Sequence, residues 1–303
     1  MAYKLGSLPS VRATRSELAD FMEIMCLKAE ADSGCYSILD ASQAMGIVGD
    51  DEEDDRIAEE LPFYDSLSII DERDLATSSN YPFQTDGYSI RLKDDCAPAV
   101  LSVYVFLLLA TRNDMSRNRI FEGVDGGKLF ERLCSCVLSK YFGQNSDCFV
   151  FGTGDDLHTS FDDKIQNLIS RLDERVYAPR RPLGDKGHHQ DDKLDVVVHI
   201  PFHDKRMGQF VAFGQCKTGD NWRDSIRLLS PKDFSENYFT PPLNFTPIVV
   251  NMVSESFSDD WERKARDVVF FDRCRIMRYL PANLGESVLS DINKWNSGVL
   301  GTL

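Results

Sequence analysis

The sequence lacks the cysteine spacing of a disulfide framework or a structural zinc site. Its eight cysteines are spread along the chain, and no two of them form a CxxC pair. Scattered thiols of this kind are typical of a reducing compartment, where disulfides do not persist. No signal peptide precedes them, so we expect a cytoplasmic protein with reduced cysteines.

Long apolar runs are also missing. The longest is residues 97–110, and Pro98 and Ser102 interrupt it. A helix needs about 20 apolar residues to span the hydrocarbon core of a bilayer, and shorter runs are usually buried helices. We therefore predict a core helix here and no membrane partner.

Several catalytic signatures are absent, and the enzymes that need them are not indicated. The chain has no HExxH zinc-peptidase motif and no dinucleotide-binding fingerprint. Gly123, Gly126 and Gly127 do not form a phosphate loop, because the GK[ST] ending is missing. The order of serines, histidines and aspartates does not indicate a catalytic triad with any specificity.

What the chain has in excess is acid, and that excess lies near its beginning. Residues 1–115 hold 9 Lys/Arg and 22 Asp/Glu, a net charge of −13, whereas residues 116–303 hold 25 and 27, a net charge of −2. Six consecutive acids at residues 50–55 indicate a solvated loop or helix start. Negative charge repels nucleic acid, so the first region is expected to bind a basic protein partner, such as a helicase or ATPase.

Hydrophobic periodicity predicts an α/β fold with two regions, a mainly helical one at 1–115 and a second at 116–303. Thr14 and Glu17 fit a capping box, and Gly143 fits a helix end. The predicted helices cover residues 37–45, 128–142 and 161–172, and the predicted strands cover 149–151, 194–200, 209–217, 246–252 and 268–276. Helices followed by strands in this order predict a mixed β-sheet core flanked by helices.

Two apolar runs separated by a polar turn predict a β-hairpin at residues 194–217. Side chains two residues apart on a strand share a face, so Gln215 and Lys217 point the same way. Pairing of the two strands carries them toward Asp195. The hairpin therefore predicts a carboxylate, an amide and an amine in one place.

These groups suit a magnesium ion and a water nucleophile. Mg²⁺ takes one or two carboxylates and neutral oxygens, which Asp195, the Gln215 amide and the Cys216 backbone carbonyl can supply. Lys217 would orient the attacking water and offset negative charge in the transition state. Such a site can hydrolyse a phosphodiester.

A second acid is expected from the helix at residues 128–142. With Leu129 taken as zero and about 100° per residue, Glu131 falls near 200°, on the border of the apolar arc, where it can point along the seam between helix and sheet. The alternative interpretation is a glutamate that faces solvent.

Taken together, these motifs resemble a known family. Phe130-Glu131 on a helix, Gly184-Asp185-Lys186-Gly187, Asp195-Val196-Val197 and Gln215-Cys216-Lys217 are similar to the motifs of the PD-(D/E)xK nuclease superfamily, in its glutamine-variant, Mrr-like form. The resemblance covers roughly residues 125–280. Seven residues separate Gly187 from Asp195, where the family pattern has a closer approach, and Gln215 removes one charge from the metal site.

The resemblance implies a restriction-endonuclease-like fold and a Mg²⁺-dependent endonuclease, with Mn²⁺ as a substitute ion. It makes Asp195, Gln215, Glu131 and Lys217 the catalytic residues, favours DNA over RNA as the substrate, and suggests antiviral defence. The alternative is a nuclease-like fold that acts as a non-catalytic interaction or regulatory subunit. The sequence leaves the oligomeric state open, a homo-oligomer included.

Cationic and aromatic side chains near the hairpin are candidates for nucleic-acid contacts. The alternatives are ordinary structural roles: a solvated loop for Arg180, Arg181 and Lys186, a packed strand residue for the histidine, and packing over the sheet edge for the tryptophan. The candidates are Arg180, Arg181, Lys186, His199, Trp222 and Arg223.

Overall fold

A computed structural model describes residues 3–10, 12–29, 34–46, 53–151, 160–180, 192–204, 206–219, 222–257 and 261–302, with the backbone alone for 53–60. The helices are α1 (Arg15–Ala29), α2 (Ile38–Ala44), α3 (Glu53–Thr77), α4 (Pro98–Arg112), α5 (Gly126–Phe142), α6 (Phe161–Leu172), α7 (Trp222–Ser225), α8 (Pro231–Tyr238), α9 (Trp261–Lys264), α10 (Arg273–Arg278) and α11 (Glu286–Leu300). The strands are β1 (Cys35–Ser37), β2 (Phe83–Thr85), β3 (Ser89–Leu92), β4 (Ile120–Phe121), β5 (Val124–Asp125), β6 (Asp147–Val150), β7 (Ala178–Pro179), β8 (Val196–Ile200), β9 (Phe210–Lys217), β10 (Phe239–Thr240), β11 (Ile248–Val253) and β12 (Val269–Phe271).

Within this described part of the chain, the main sheet has five strands in the order β12-β11-β9-β8-β6. β6, β8 and β9 pair antiparallel, whereas β9, β11 and β12 pair parallel. The fold is therefore a mixed sheet with flanking helices, as the sequence predicts, and β8 and β9 form the predicted hairpin.

Both faces of the sheet are covered, which explains why β8 and β9 read as nearly continuous apolar runs. On one face, Val196, Val198 and Ala212 pack in a core shared with α4, α5 and α11. On the other face, Val197 and Phe213 pack in a second core with α6 and α8. Alternate residues of one strand thus enter different cores, as the two-residue period of a strand requires.

Helix α5 lies under the strands that carry the predicted site, and its ends follow from local chemistry. The Asp125 side chain accepts hydrogen bonds from the backbone N–H groups of Gly127 and Lys128 and so caps the first turn. Gly143 follows the last turn with φ of 91°, a conformation that suits glycine. The predicted helix at 128–142 and its glycine end are both confirmed.

Helix α4 is the buried helix predicted from residues 97–110. It packs in the same core as α11 and the main sheet, so the predicted boundary after residue 115 does not separate two hydrophobic cores. Among the helices of the described residues, none has the length and apolar character needed to cross a membrane.

The strand predicted at 268–276 is wrong beyond Phe271. The Asp272 carboxylate accepts a hydrogen bond from the backbone N–H of Arg275, which caps a helix and ends the strand. α10 begins at the next residue, Arg273, whose side chain is fully buried.

That buried arginine belongs to what we call the buried ion cluster: Asp20 and Glu23 of α1, Arg73 of α3, Arg112 of α4 and Arg273 of α10, all at most 2% exposed. The Asp20 carboxylate lies 2.9 Å from Arg73 Nη1, 2.7 Å from Arg112 Nε and 2.9 Å from Arg273 Nη1. Glu23 Oε1 lies 2.6 Å from Arg73 Nη1 and accepts hydrogen bonds from two tyrosine hydroxyls. The cluster joins helices from both ends of the chain.

Burial alone would raise the pKa of Asp20, but the guanidinium groups of Arg273, Arg112 and Arg73 outweigh it and hold that pKa well below its usual range. Asp20 is therefore charged at neutral pH. The acidity of residues 1–115 is accordingly not all surface charge, because Asp20 and Glu23 are neutralised inside the protein.

Candidate functional site

The hairpin brings Asp195 and Lys217 together. Val196 pairs with Gly214, and continuing this register by one residue puts Asp195 opposite Gln215. Asp195 Oδ2 accepts a hydrogen bond of 2.7 Å from the Cys216 N–H and lies 3.7 Å from Lys217 Nζ. A carboxylate, an amide and an amine therefore occupy neighbouring positions at one end of β9.

This carboxylate is buried, whereas the amine reaches solvent. The side chain of Asp195 is 5% exposed and that of Lys217 is 28% exposed. A buried carboxylate requires hydrogen bonds or a nearby cation, and the Cys216 N–H and the Lys217 ammonium supply both. Lys217 is thus the site residue placed to meet a ligand that arrives from solvent.

A second amide, which the sequence analysis did not single out, lies beside Gln215. Asn251 of β11 is the register partner of Gln215. The residues that flank them, Cys216, Val250 and Met252, all belong to the core on the α5 side of the sheet. Because side chains alternate along a strand, Gln215 and Asn251 both face the opposite side.

Neither amide makes a hydrogen bond within the described part of the protein. Gln215 is fully buried and Asn251 nearly so, and the side-chain nitrogen and oxygen of each have no partner there. Leaving a buried polar group unpaired costs about 1–3 kcal/mol. Four unpaired polar atoms on adjacent strands are therefore an unusual feature of the buried sheet.

A sequence signal for Asn251 existed. It interrupts the apolar run Ile248-Val249-Val250-Asn251-Met252 in the middle of a predicted strand. An amide in a strand that is covered on both faces needs a polar partner, and this requirement could have identified the position.

Glu131 approaches from the other face of the sheet. It lies on α5, whose apolar side packs in the core that contains Cys216. Burial, the neighbouring Cys134 thiol and then the charges of Asp195 and Glu131 raise the pKa of Cys216. The charges of Asp195 and Glu131 therefore both raise the pKa of the same thiol. The role of Glu131 as a metal ligand stays a prediction.

Two predicted nucleic-acid contacts are buried and do not fit that role. His199 is 2% exposed, pairs with Asp147 at the far end of β8 from Asp195, and has a pKa lowered by burial. Trp222 is fully buried, and its indole N–H donates to Glu255. Their burial favours the alternative interpretation, a packed strand histidine and a tryptophan that packs over the sheet edge.

The predicted arginines differ in their surroundings. Arg180 is exposed. Arg223 is partly exposed, pairs with Glu255 and lies 4.6 Å from the centre of the Trp222 ring. Arg181, Lys186 and the whole motif Gly184-Asp185-Lys186-Gly187 lie outside the described residues.

The residues present fit a hard divalent cation such as Mg²⁺ or Mn²⁺ better than a softer ion such as Zn²⁺, which takes nitrogen and sulfur ligands. No group of three or more His, Cys, Asp or Glu side chains suited to a metal occurs among the described residues. Asp195 and the amide oxygens of Gln215 and Asn251 are all oxygen donors, which Mg²⁺ prefers. The unpaired state of the two amides is what such an ion would relieve.

The close pairing of the hairpin at Gly214 leads to a first prediction. A Cβ at this position would overlap Val196 Cγ2 and lie 3.3 Å from the Val196 oxygen. We expect Gly214→Ala to lower the free energy of unfolding by about 1–3 kcal/mol through overpacking, measured by urea denaturation. Adding Val196→Ala should recover part of this loss, and strictly additive effects would contradict the explanation.

Comparisons of the chain with protein-family models, with curated proteins and with solved structures find no match. The geometry of the site is therefore the basis for any function proposed for this chain.

Proposed function

We propose that this protein is a metal-dependent nuclease that hydrolyses phosphodiester bonds at the β8–β9 hairpin. The observation that carries the proposal is the 3.7 Å approach of Lys217 Nζ to Asp195 Oδ2, at the end of a strand that also holds Gln215. The mixed sheet and the helix α5 before it are consistent with the restriction-endonuclease-like fold that the motifs suggest.

Each residue has a distinct role in this proposal. Asp195, the Gln215 amide, the Cys216 carbonyl and Glu131 would hold Mg²⁺ or Mn²⁺. A divalent ion supplies Lewis acidity and lowers the pKa of water. Lys217 orients the attacking water by hydrogen bonding and places positive charge beside the phosphate, where negative charge increases during the reaction.

DNA is the proposed substrate, and the support for it is the resemblance of the motifs rather than a base-reading surface. Arg180 and Arg223 are the described candidates for phosphate contacts, which would position a backbone without reading its sequence. A role in defence against foreign DNA also depends on the resemblance alone.

The test is a plasmid-nicking assay on the full chain with Mg²⁺ or Mn²⁺. We expect nicking by the wild-type protein that stops when EDTA is added. Asp195→Asn should remove it, because the substitution takes away the carboxylate on the sheet. Asp204→Asn, in the exposed turn after β8, is the matched control and should leave nicking unchanged.

A metal-dependent rate that is equal in the wild-type protein and Asp195→Asn would show that the assigned site is wrong. Circular dichroism of both proteins separates loss of the site from loss of the fold.

The burial of the site favours one second candidate, a nuclease-like fold used as a non-catalytic interaction subunit. Asp195 and Gln215 are buried, and side chains with a purely structural role would be buried in the same way. In that case the purified chain cleaves nothing with either ion, and a basic protein partner binds the acidic region at 1–115 with an affinity that falls steeply as salt is added.

A further inference from the structure

We infer that Asn251 is a further ligand residue of the proposed site, whose amide oxygen joins that of Gln215 in holding a divalent cation. The inference depends on the proposed nuclease function and adds to it a residue on a different strand. The site would then combine two neutral amides, Gln215 and Asn251, with a charged pair, Asp195 and Lys217.

The geometry comes from the parallel pairing of β9 and β11. Gln215 and Asn251 are register partners, and adjacent strands lie about 4.8 Å apart. Their side chains leave the same face, so the two amide groups can reach one ion. Asp195, opposite Gln215 on the other neighbouring strand, extends this row across three strands.

The surroundings make the row a built site. On this face of the sheet, Val197 and Phe213 belong to one apolar core, whereas Val253 and Phe270 belong to another that contains Trp222. The two amides lie between these cores, buried and with their four polar atoms unpaired within the described residues. An apolar side chain would serve packing better at both positions, so the amides need another explanation.

Amides suit a cation that carries a phosphate. The carbonyl oxygen of each amide can bind the ion, and its NH₂ group can donate to a phosphate oxygen. One row would then contact both the divalent cation and the phosphodiester, which a carboxylate at position 251 could not do because it has no donor.

The experiment measures Mn²⁺ binding to the full chain by electron paramagnetic resonance of the free ion, beside nicking assays. Asn251→Leu keeps the branched shape and the number of heavy atoms and removes the oxygen, so we expect Mn²⁺ affinity to fall about 10- to 100-fold while thermal stability without metal is unchanged or higher. Asn251→Asp adds a charge to the site and should tighten Mn²⁺ binding about tenfold.

Asn296 supplies the matched control. It is a buried asparagine whose NH₂ donates to the Ser102 carbonyl, and it lies on α11, a helix that contributes no residue to the proposed site. Asn296→Asp also introduces a buried acid, and it should leave Mn²⁺ affinity within twofold of the wild-type value.

The outcomes separate the inference from the proposed function. Wild-type Mn²⁺ affinity in Asn251→Leu, with nicking intact, overturns the inference and leaves the nuclease standing. If Asn251→Asp does not fold, Asn251→Leu alone decides the question. A wild-type protein that neither binds Mn²⁺ nor nicks DNA overturns both.

Discussion

Replacing Asp20 by asparagine is expected to lower the free energy of unfolding by about 3–5 kcal/mol. Asp20 is the acid shared by three arginines of the buried ion cluster, and its carboxylate contacts all three guanidinium groups within 2.9 Å. Asparagine keeps the size and removes the charge, so the guanidinium groups lose a partner in an interior that cannot hydrate them. Urea denaturation of both proteins at neutral pH measures the difference.

The same pair of proteins should differ in their response to acid. The folded protein keeps Asp20 charged to a lower pH than the unfolded chain does, because its pKa is lowered. The stability that Asp20 contributes is therefore complete above about pH 4, the pKa of an unperturbed aspartate, and is lost as the pH falls further. The gap between wild type and Asp20→Asn should stay constant from pH 8 to 5 and narrow in stronger acid.

Asp71→Asn, on the exposed side of α3, is the control and should change stability by no more than about 0.5 kcal/mol. A loss below 1 kcal/mol in Asp20→Asn would mean that the cluster tolerates a missing charge and that its arginines reach water.

Replacing Lys217 by methionine is expected to lower the rate of Mg²⁺-dependent cleavage by about 10²- to 10³-fold. Methionine keeps most of the aliphatic stem and removes the ammonium group that would orient water and stabilise the transition state. Lys217 is partly exposed, so the fold should tolerate the change. Cleavage rates at saturating Mg²⁺ measure the effect.

The affinity for metal should separate Lys217 from Asp195. The Lys217 ammonium lies 3.7 Å from the Asp195 carboxylate and competes with a cation for it. Lys217→Met should therefore bind Mn²⁺ as tightly as the wild type or more tightly, whereas Asp195→Asn should bind it more weakly. Lys232→Met, an exposed lysine on α8, should change neither quantity.

Weaker metal binding in Lys217→Met, with a rate that recovers fully at high Mn²⁺, would contradict the assigned role. Lys217 would then support the metal site and take no part in the chemistry.

The parts of the fold that the sequence predicts are those set by interactions between residues that are close in the chain. The stripe of α5 and its glycine end are set within one helix, and the β8–β9 hairpin joins runs that are adjacent in the chain. For the same reason, the sequence alone predicts that Asp195 and Lys217 lie close together. Their register follows from a short turn and a two-residue period.

The parts that could not be predicted depend on distant pairings. Asn251 lies beside Gln215 only because β11 pairs with β9 in parallel. The segment that connects the two strands gives no sequence signal for that pairing. Trp222 looked available for stacking, because nothing near it in sequence shows that Glu255 accepts its N–H. The buried ion cluster could not be predicted either, because its members are far apart in the sequence. Its two acids look like part of the surface acid excess of residues 1–115.

The buried ion cluster also constrains how the chain is made. Arg273 is synthesised 253 residues after Asp20. At 5–20 residues per second, ribosomes need about 13–50 s to cover that distance. During this interval Asp20 lacks one of its arginines, so α1 cannot reach its final environment until nearly the whole chain has emerged. A stalled or prematurely terminated chain would expose these charges and the apolar surface around them, and such products would be the natural substrates of chaperones and proteases.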